Sequence, residues 1–170
     1  KKLGVKSLKI EGRMKRPEYV ATVTRIYRKA LDSLELGIQR DLDPKDRYEL
    51  TQIFNRGFTP GYFKGYQGAD MMSFSRPNNR GTLLGRIVGI NKNWLSLKLE
   101  NYLNVGDGVE VWTNRGREGV VVNKIYNSAG ESVTKATAGE TVSIEFKGQA
   151  RIGDRVFKTH DEELMEKARL

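Results

Sequence analysis

VGDGVEV at residues 105–111 and IGDRVFK at residues 152–158 repeat one local pattern. An apolar residue and Gly–Asp make a turn, and the turn feeds a strand rich in β-branched residues. Glycine supplies the backbone freedom and aspartate the local hydrogen bonding. AGETVSI at 138–144 is a looser third copy. Turns of this kind punctuate a chain of short strands, and the sequence around them agrees. TLLGRIVGIN, WLSLKL, GVEVWT, EGVVVNKIY, SVTKA, TVSIEF and RVFKT are β-rich runs bounded by Gly, Asn and Asp. Seven such runs predict a small antiparallel barrel or sandwich. Within them Trp94 and Trp112 read as core or rim residues.

Upstream the period changes from two to 3.6. Pro17 suits the first turn of a helix, and Val20, Val23, Tyr27, Ala30, Leu31 and Leu34 follow at three- and four-residue steps. That amphipathic helix ends near Gly37. Asp43–Pro44 announces a second, shorter helix, with Asp43 as cap. Residues 5–10 alternate as a short strand. SRPNNRG at 75–81 reads as a linker, and HDEELMEKARL opens a final helix capped by Asp161. Both ends thus fall inside regular structure, which reads as an excerpt of a longer chain.

Composition narrows the chemistry. The chain has 170 residues, no cysteine and one histidine, His160. Disulfides, thiolate nucleophiles and cysteine-ligated clusters are therefore excluded from it, and a Ser–His–Asp triad has almost nothing to work with. His160 reads as a cap or surface residue. No apolar run is long enough for a transmembrane helix and no signal-peptide pattern is present, so the expectation is a cytoplasmic protein with no membrane partner. The net charge is +9. Lys1, Lys2, Lys6, Lys9, Arg13, Lys15 and Arg16 meet only Glu11 in the first sixteen positions. Such an excess suits an anionic partner such as RNA, or is a solvated basic face.

Two stretches can carry chemistry. Glu11–Gly12–Arg13 follows the strand and precedes the helix. At the end of a (β/α)-barrel strand, a carboxylate serves as base and an arginine clamps an anion. The same residues also make an ordinary exposed ion pair. In FNRGFTPGYFKG, Phe58 and Tyr62 flank a Gly-rich loop bracketed by Arg56 and Lys64. Rings and cations of this kind either stack bases and meet phosphates or plug a gap between elements.

SLKIEGRMKRPEYVATVTRIYRKALD, followed by NRGFTPGYFKG, closely resembles the collagenase-like peptidase family U32. The resemblance implies an α+β fold. Residues 1–76 would be the strand–helix–helix remnant of a catalytic (β/α) barrel, and 77–159 a small β-barrel similar to the second domain of elongation factor Tu. Residues 160–170 would start a C-terminal helix. It implies one of two functions for the longer protein, RNA hydroxylation of transfer or ribosomal RNA, or a collagenase-like protease. This chain would be an accessory or RNA-positioning part, not catalytic on its own, with RNA or a protein as substrate and the missing barrel as partner. Glu11 and Arg13 would be the edge of the active site. Lys15, Arg16, Arg56, Phe58, Tyr62 and Lys64 are the expected nucleic-acid contacts. Some relatives hold an iron–sulfur cluster through cysteines, which here would lie outside the chain; no metal ligands are expected within it.

Overall fold

Pro17 opens helix α1 (Pro17–Glu35), where its missing N–H costs nothing. The computed structural model describes residues 4–38, 41–55 and 80–169. At the end of α1, Gly37 (φ +73°) donates to the carbonyl of Leu34 at 3.2 Å and Ile38 to that of Ser33 at 2.9 Å. This Schellman arrangement satisfies carbonyls that the last turn leaves open. Asp43 caps α2 (Pro44–Ile53) by accepting from the Lys45 N–H at 2.8 Å. Asp161 caps α3 (Glu162–Arg169) by accepting from the Leu164 N–H at 3.0 Å.

The buried face of α1 is Thr22, Val23 and Ile26. It differs from the predicted stripe, of which Val20, Tyr27 and Leu34 are exposed. Val23, Ile53, Leu164 and Met165 form a small apolar cluster among the three helices. Ion pairs surround it. The buried carboxylates of α2 take cations from both neighbours: Asp46 from Lys29 (2.6 Å) and Arg25 (3.9 Å), Glu49 from Lys167 (2.7 Å) and again Arg25.

Among the described residues ten short strands follow: β1 (Thr82–Asn91), β2 (Trp94–Leu99), β3 (Leu103–Asn104), β4 (Gly108–Thr113), β5 (Gly116–Val121), β6 (Ile125–Tyr126), β7 (Ser132–Val133), β8 (Lys135–Ala136), β9 (Thr141–Glu145) and β10 (Arg155–His160). The predicted EGVVVNKIY and SVTKA runs each divide in two, and β3 had no counterpart in the pattern. Eight strands form one antiparallel sheet in the order β5-β4-β10-β1-β2-β9-β6-β7, and β3 pairs with β8. Leu84, Ile87, Leu97, Val111, Ile144 and Val156 are among the residues of a second, larger core to which no described helix contributes. A one-sided sheet with no helix on its inner face buries that face by rolling over it. Among the described residues no pairing joins the edge strands β5 and β7. Among the described residues no closed sheet is found where a small barrel or sandwich was expected, and the two-residue β6 and β7 offer few ladder bonds.

One turn recurs three times, at 104–107, 137–140 and 151–154. In each, the fourth N–H donates to the first carbonyl at 3.1–3.2 Å, and the third residue is glycine with φ between +91° and +97°. That is a type II turn, whose third position requires positive φ. The acid at the fourth position reaches back to the first N–H: Asp107 to Asn104 and Asp154 to Arg151 at 2.9 Å, and Glu140 to Thr137. The repeated sequence pattern is therefore turn chemistry.

Residues 4–16 form neither helix nor strand, so the strand expected at 5–10 is not present. Alternating side chains are not enough. An extended segment needs a neighbour for its N–H and C=O groups, and no described strand pairs with this one.

Candidate functional site

In β10 the alternation that buries Val156 also points Lys158 inward. Its ammonium is completely enclosed. It lies 3.0 Å from Asp107, in the turn before β4, and 3.1 Å from Asp161, the α3 cap. The ring of Tyr102 sits under it, 3.5 Å from ammonium to centroid. The Tyr102 hydroxyl donates to Asp161 at 2.5 Å, and that of Tyr48, from α2, at 3.1 Å. Gln52 of α2 donates to the Lys158 carbonyl at 3.1 Å and accepts from Thr82 at 2.5 Å. Burial works to raise the Asp161 pKa, but Lys158 and the bonds from Tyr102 and Leu164 outweigh it and hold the carboxyl below its ordinary value. For Asp107 burial wins against the pull of Lys158, and its pKa is raised. Burial, then Asp161, raises Tyr48; burial and the bond to Asp161 raise Tyr102. Every polar atom here faces another within the fold. The cluster is a clamp between helices and sheet.

The open feature lies where β10 ends, two residues beyond Lys158. Lys15, Arg16, Tyr19, Phe54, His160 and Met165 line a cleft of about 320 Å³ beside the start of α1. Lys15 places its ammonium 3.2 Å from the centroid of the Phe54 ring, and Tyr19 meets the same ring edge-on at 6.1 Å. His160 ends β10, half-exposed, with its Nε2 2.8 Å from Glu162. Cations beside flat rings can bind a phosphate and stack a base.

Glu11 and Arg13 stand just outside this cleft, both exposed. Glu11 accepts from the Arg13 backbone N–H at 2.9 Å and lies 3.9 Å from Lys9. Met14 follows at φ +61°. The Glu–Gly–Arg stretch is thus a local turn, with the Lys9 ammonium as the charged neighbour of Glu11. Of the predicted nucleic-acid contacts, Lys15 and Arg16 meet at the cleft; Arg56, Phe58, Tyr62, Lys64 and most of the 75–81 linker lie outside the described residues. Trp94 and Trp112 are both half-buried and outside the core cluster. Sequence reasoning missed Lys158 and its partners. The signal was present, a lysine in phase with Val156 in an alternating strand.

Among the described residues no group of His, Asp or Glu could hold a metal ion, and no helix is long and apolar enough to cross a membrane. Without cysteine the chain offers no thiolate to an iron–sulfur cluster.

Residues 1–73 match the family model of peptidase family U32. The tRNA hydroxylation protein P of Escherichia coli is 30% identical over 136 residues, 78% of this chain and 30% of that protein. A collagenase of Porphyromonas gingivalis is 31% identical over 166 residues, 91% of this chain and 45% of that protein. The chain thus spans less than half the length of these relatives. Among solved structures, the C-terminal domain of a Geobacillus thermoleovorans U32 peptidase covers 45% of this chain and 91% of its own, at 18% identity and a TM-score of 0.43.

Proposed function

The chain is related to peptidase family U32, and on that premise we propose that it is an accessory, RNA-positioning region of an RNA hydroxylation protein. The observation that carries the reading is the cleft, where Lys15 and Arg16 meet the rings of Tyr19 and Phe54. The similarity to a tRNA hydroxylation protein supplies the substrate class. The exposed Lys6, Lys9 and Arg13 extend the same positive surface. In this reading Glu11 and Arg13 are the edge of an active site completed by the rest of a longer cytoplasmic protein. The functional division is 1–76 with the catalytic barrel, 77–159 as a barrel-like module similar to the second domain of elongation factor Tu, and 160–170 as a following helix.

A second reading is a substrate-recognition module of a collagenase-like protease. It is favoured by the collagenase match, which covers more of this chain than the tRNA hydroxylation protein does. Binding separates the two. The 170-residue chain is expected to retain a tRNA transcript at low salt and not gelatin, and Lys15→Gln/Arg16→Gln to weaken retention several-fold. Gelatin capture without RNA binding would replace the first reading by the second.

A further inference from the structure

Strand register brings together five residues scattered through the sequence. Lys98 of β2 lies opposite Arg86 of β1, Arg86 opposite Arg155 of β10, Arg155 opposite Trp112 of β4, and Trp112 opposite Arg117 of β5. The sequence neighbours Leu97, Ile87, Val156 and Val111 point into the core, so the row lies on the outer face of the rolled sheet. Adjacent strands are about 4.8 Å apart, which gives the row a length of roughly 19 Å.

Within it Trp112 stacks on Phe157 with ring centroids 4.0 Å apart at 28°. The Arg117 guanidinium lies 3.7 Å from the Trp112 centroid, and that of Arg155 is 5.9 Å from Trp112 and 5.8 Å from Phe157. Like charges directly opposite one another destabilise a sheet, yet Lys98, Arg86 and Arg155 are consecutive. Among the described residues none of the four cations makes an ion pair. Lys98 donates to the Gly139 carbonyl at 2.5 Å and Arg86 to that of Gly153 at 3.5 Å. The nearby carboxylate, Glu110, accepts from the Trp112 indole at 3.2 Å. The cations of the helical layer behave differently, since Arg25, Lys29 and Lys167 are all held by buried acids.

We propose that this row is a binding track for single-stranded RNA. Its cations meet successive phosphates, and an unstacked base packs against the Arg117–Trp112–Phe157 stack. Guanidinium planes and aromatic rings are the surfaces on which proteins receive splayed bases, and the stack is what favours RNA over an acidic peptide. The inference rests on the RNA reading above and gives it a second, separate surface on the sheet.

The test is fluorescence anisotropy of a short labelled single-stranded RNA with the 170-residue chain over a series of salt concentrations. Arg86→Gln/Arg155→Gln is expected to raise Kd about tenfold. It should flatten the log–log salt dependence by about 1.4, the share of two phosphate contacts on a single strand. Arg86→Lys/Arg155→Lys, which keeps both charges, should retain the slope. Trp112→Leu should weaken binding about fivefold with the slope unchanged, because stacking releases no counterions. Circular dichroism confirms that each variant folds. If affinity and slope survive Arg86→Gln/Arg155→Gln while Lys15→Gln/Arg16→Gln removes binding, the track is wrong and the RNA reading stands. If the wild-type chain binds no RNA at low salt, both fall. Polyglutamate binding with the same sensitivity to Trp112→Leu overturns RNA as the occupant.

Discussion

Lys158 is the residue on which the buried polar cluster between helices and sheet converges. Two carboxylates and two tyrosines are packed around one ammonium, and removing the cation leaves buried negative charge without a partner. Lys158→Met is therefore expected to destabilise the chain by about 3–5 kcal/mol in urea unfolding. A loss under about 1 kcal/mol would mean that the cluster is not a clamp. The two aspartates have opposite signs in pH. Asp161 has a depressed pKa in the folded state. Its contribution is complete above the unfolded value of about 3.9 and is lost as pH falls through the lower folded value. Asp107 has a raised folded pKa, so its contribution is present below the unfolded value and is lost as pH rises through the folded one. Urea midpoints between about pH 3 and 6 should show Asp161→Asn removing the acid-side loss and Asp107→Asn the opposing one. Asn at 161 can still cap α3. None of this pairing was legible in advance, because a strand pattern gives the face of Lys158 but not what waits there.

At the scale of elements, the legible parts were those with local causes. Pro17, Gly37, Asp43 and Asp161 mark helix ends through groups a few residues away, and each does so in the structure. The type II turns are equally local. Gly153→Ala would place a Cβ at φ +93° in open space, so strain of the left-handed backbone alone should cost about 1–2 kcal/mol. Equilibrium unfolding reads this directly, and a change of only a few tenths would show that the turn relaxes. The illegible parts depended on partners distant in sequence. Residues 5–10 alternate like a strand but find no ladder among the described strands. The buried face of α1 was set by α2 and α3, which rotated it away from the predicted stripe. The cationic row on the sheet exists only through register, since its five members span residues 86–117 and 155.

At the scale of the whole molecule, the helices and the rolled sheet are joined through the buried cluster. Tyr48 and Gln52 reach from α2 to Asp161 and Lys158, and Asp107 also accepts from the Glu162 N–H at 2.9 Å, at the start of α3. The two layers should therefore unfold together. Both tryptophans lie in the sheet and much of the far-ultraviolet signal comes from the helices, so fluorescence and circular dichroism should give coincident urea transitions. Separate transitions would show that the clamp does not couple them. With the layers held together, the basic cleft on the helical side and the cationic row on the sheet are two positive surfaces on one body. The central claim is that such a body holds RNA by its phosphates. Its most direct test is the affinity of the 170-residue chain for a tRNA transcript as a function of salt. The account predicts tight binding at low salt and a linear log–log decline, with a slope of several phosphate contacts. Absence of binding at low salt, or an affinity indifferent to salt, would contradict it.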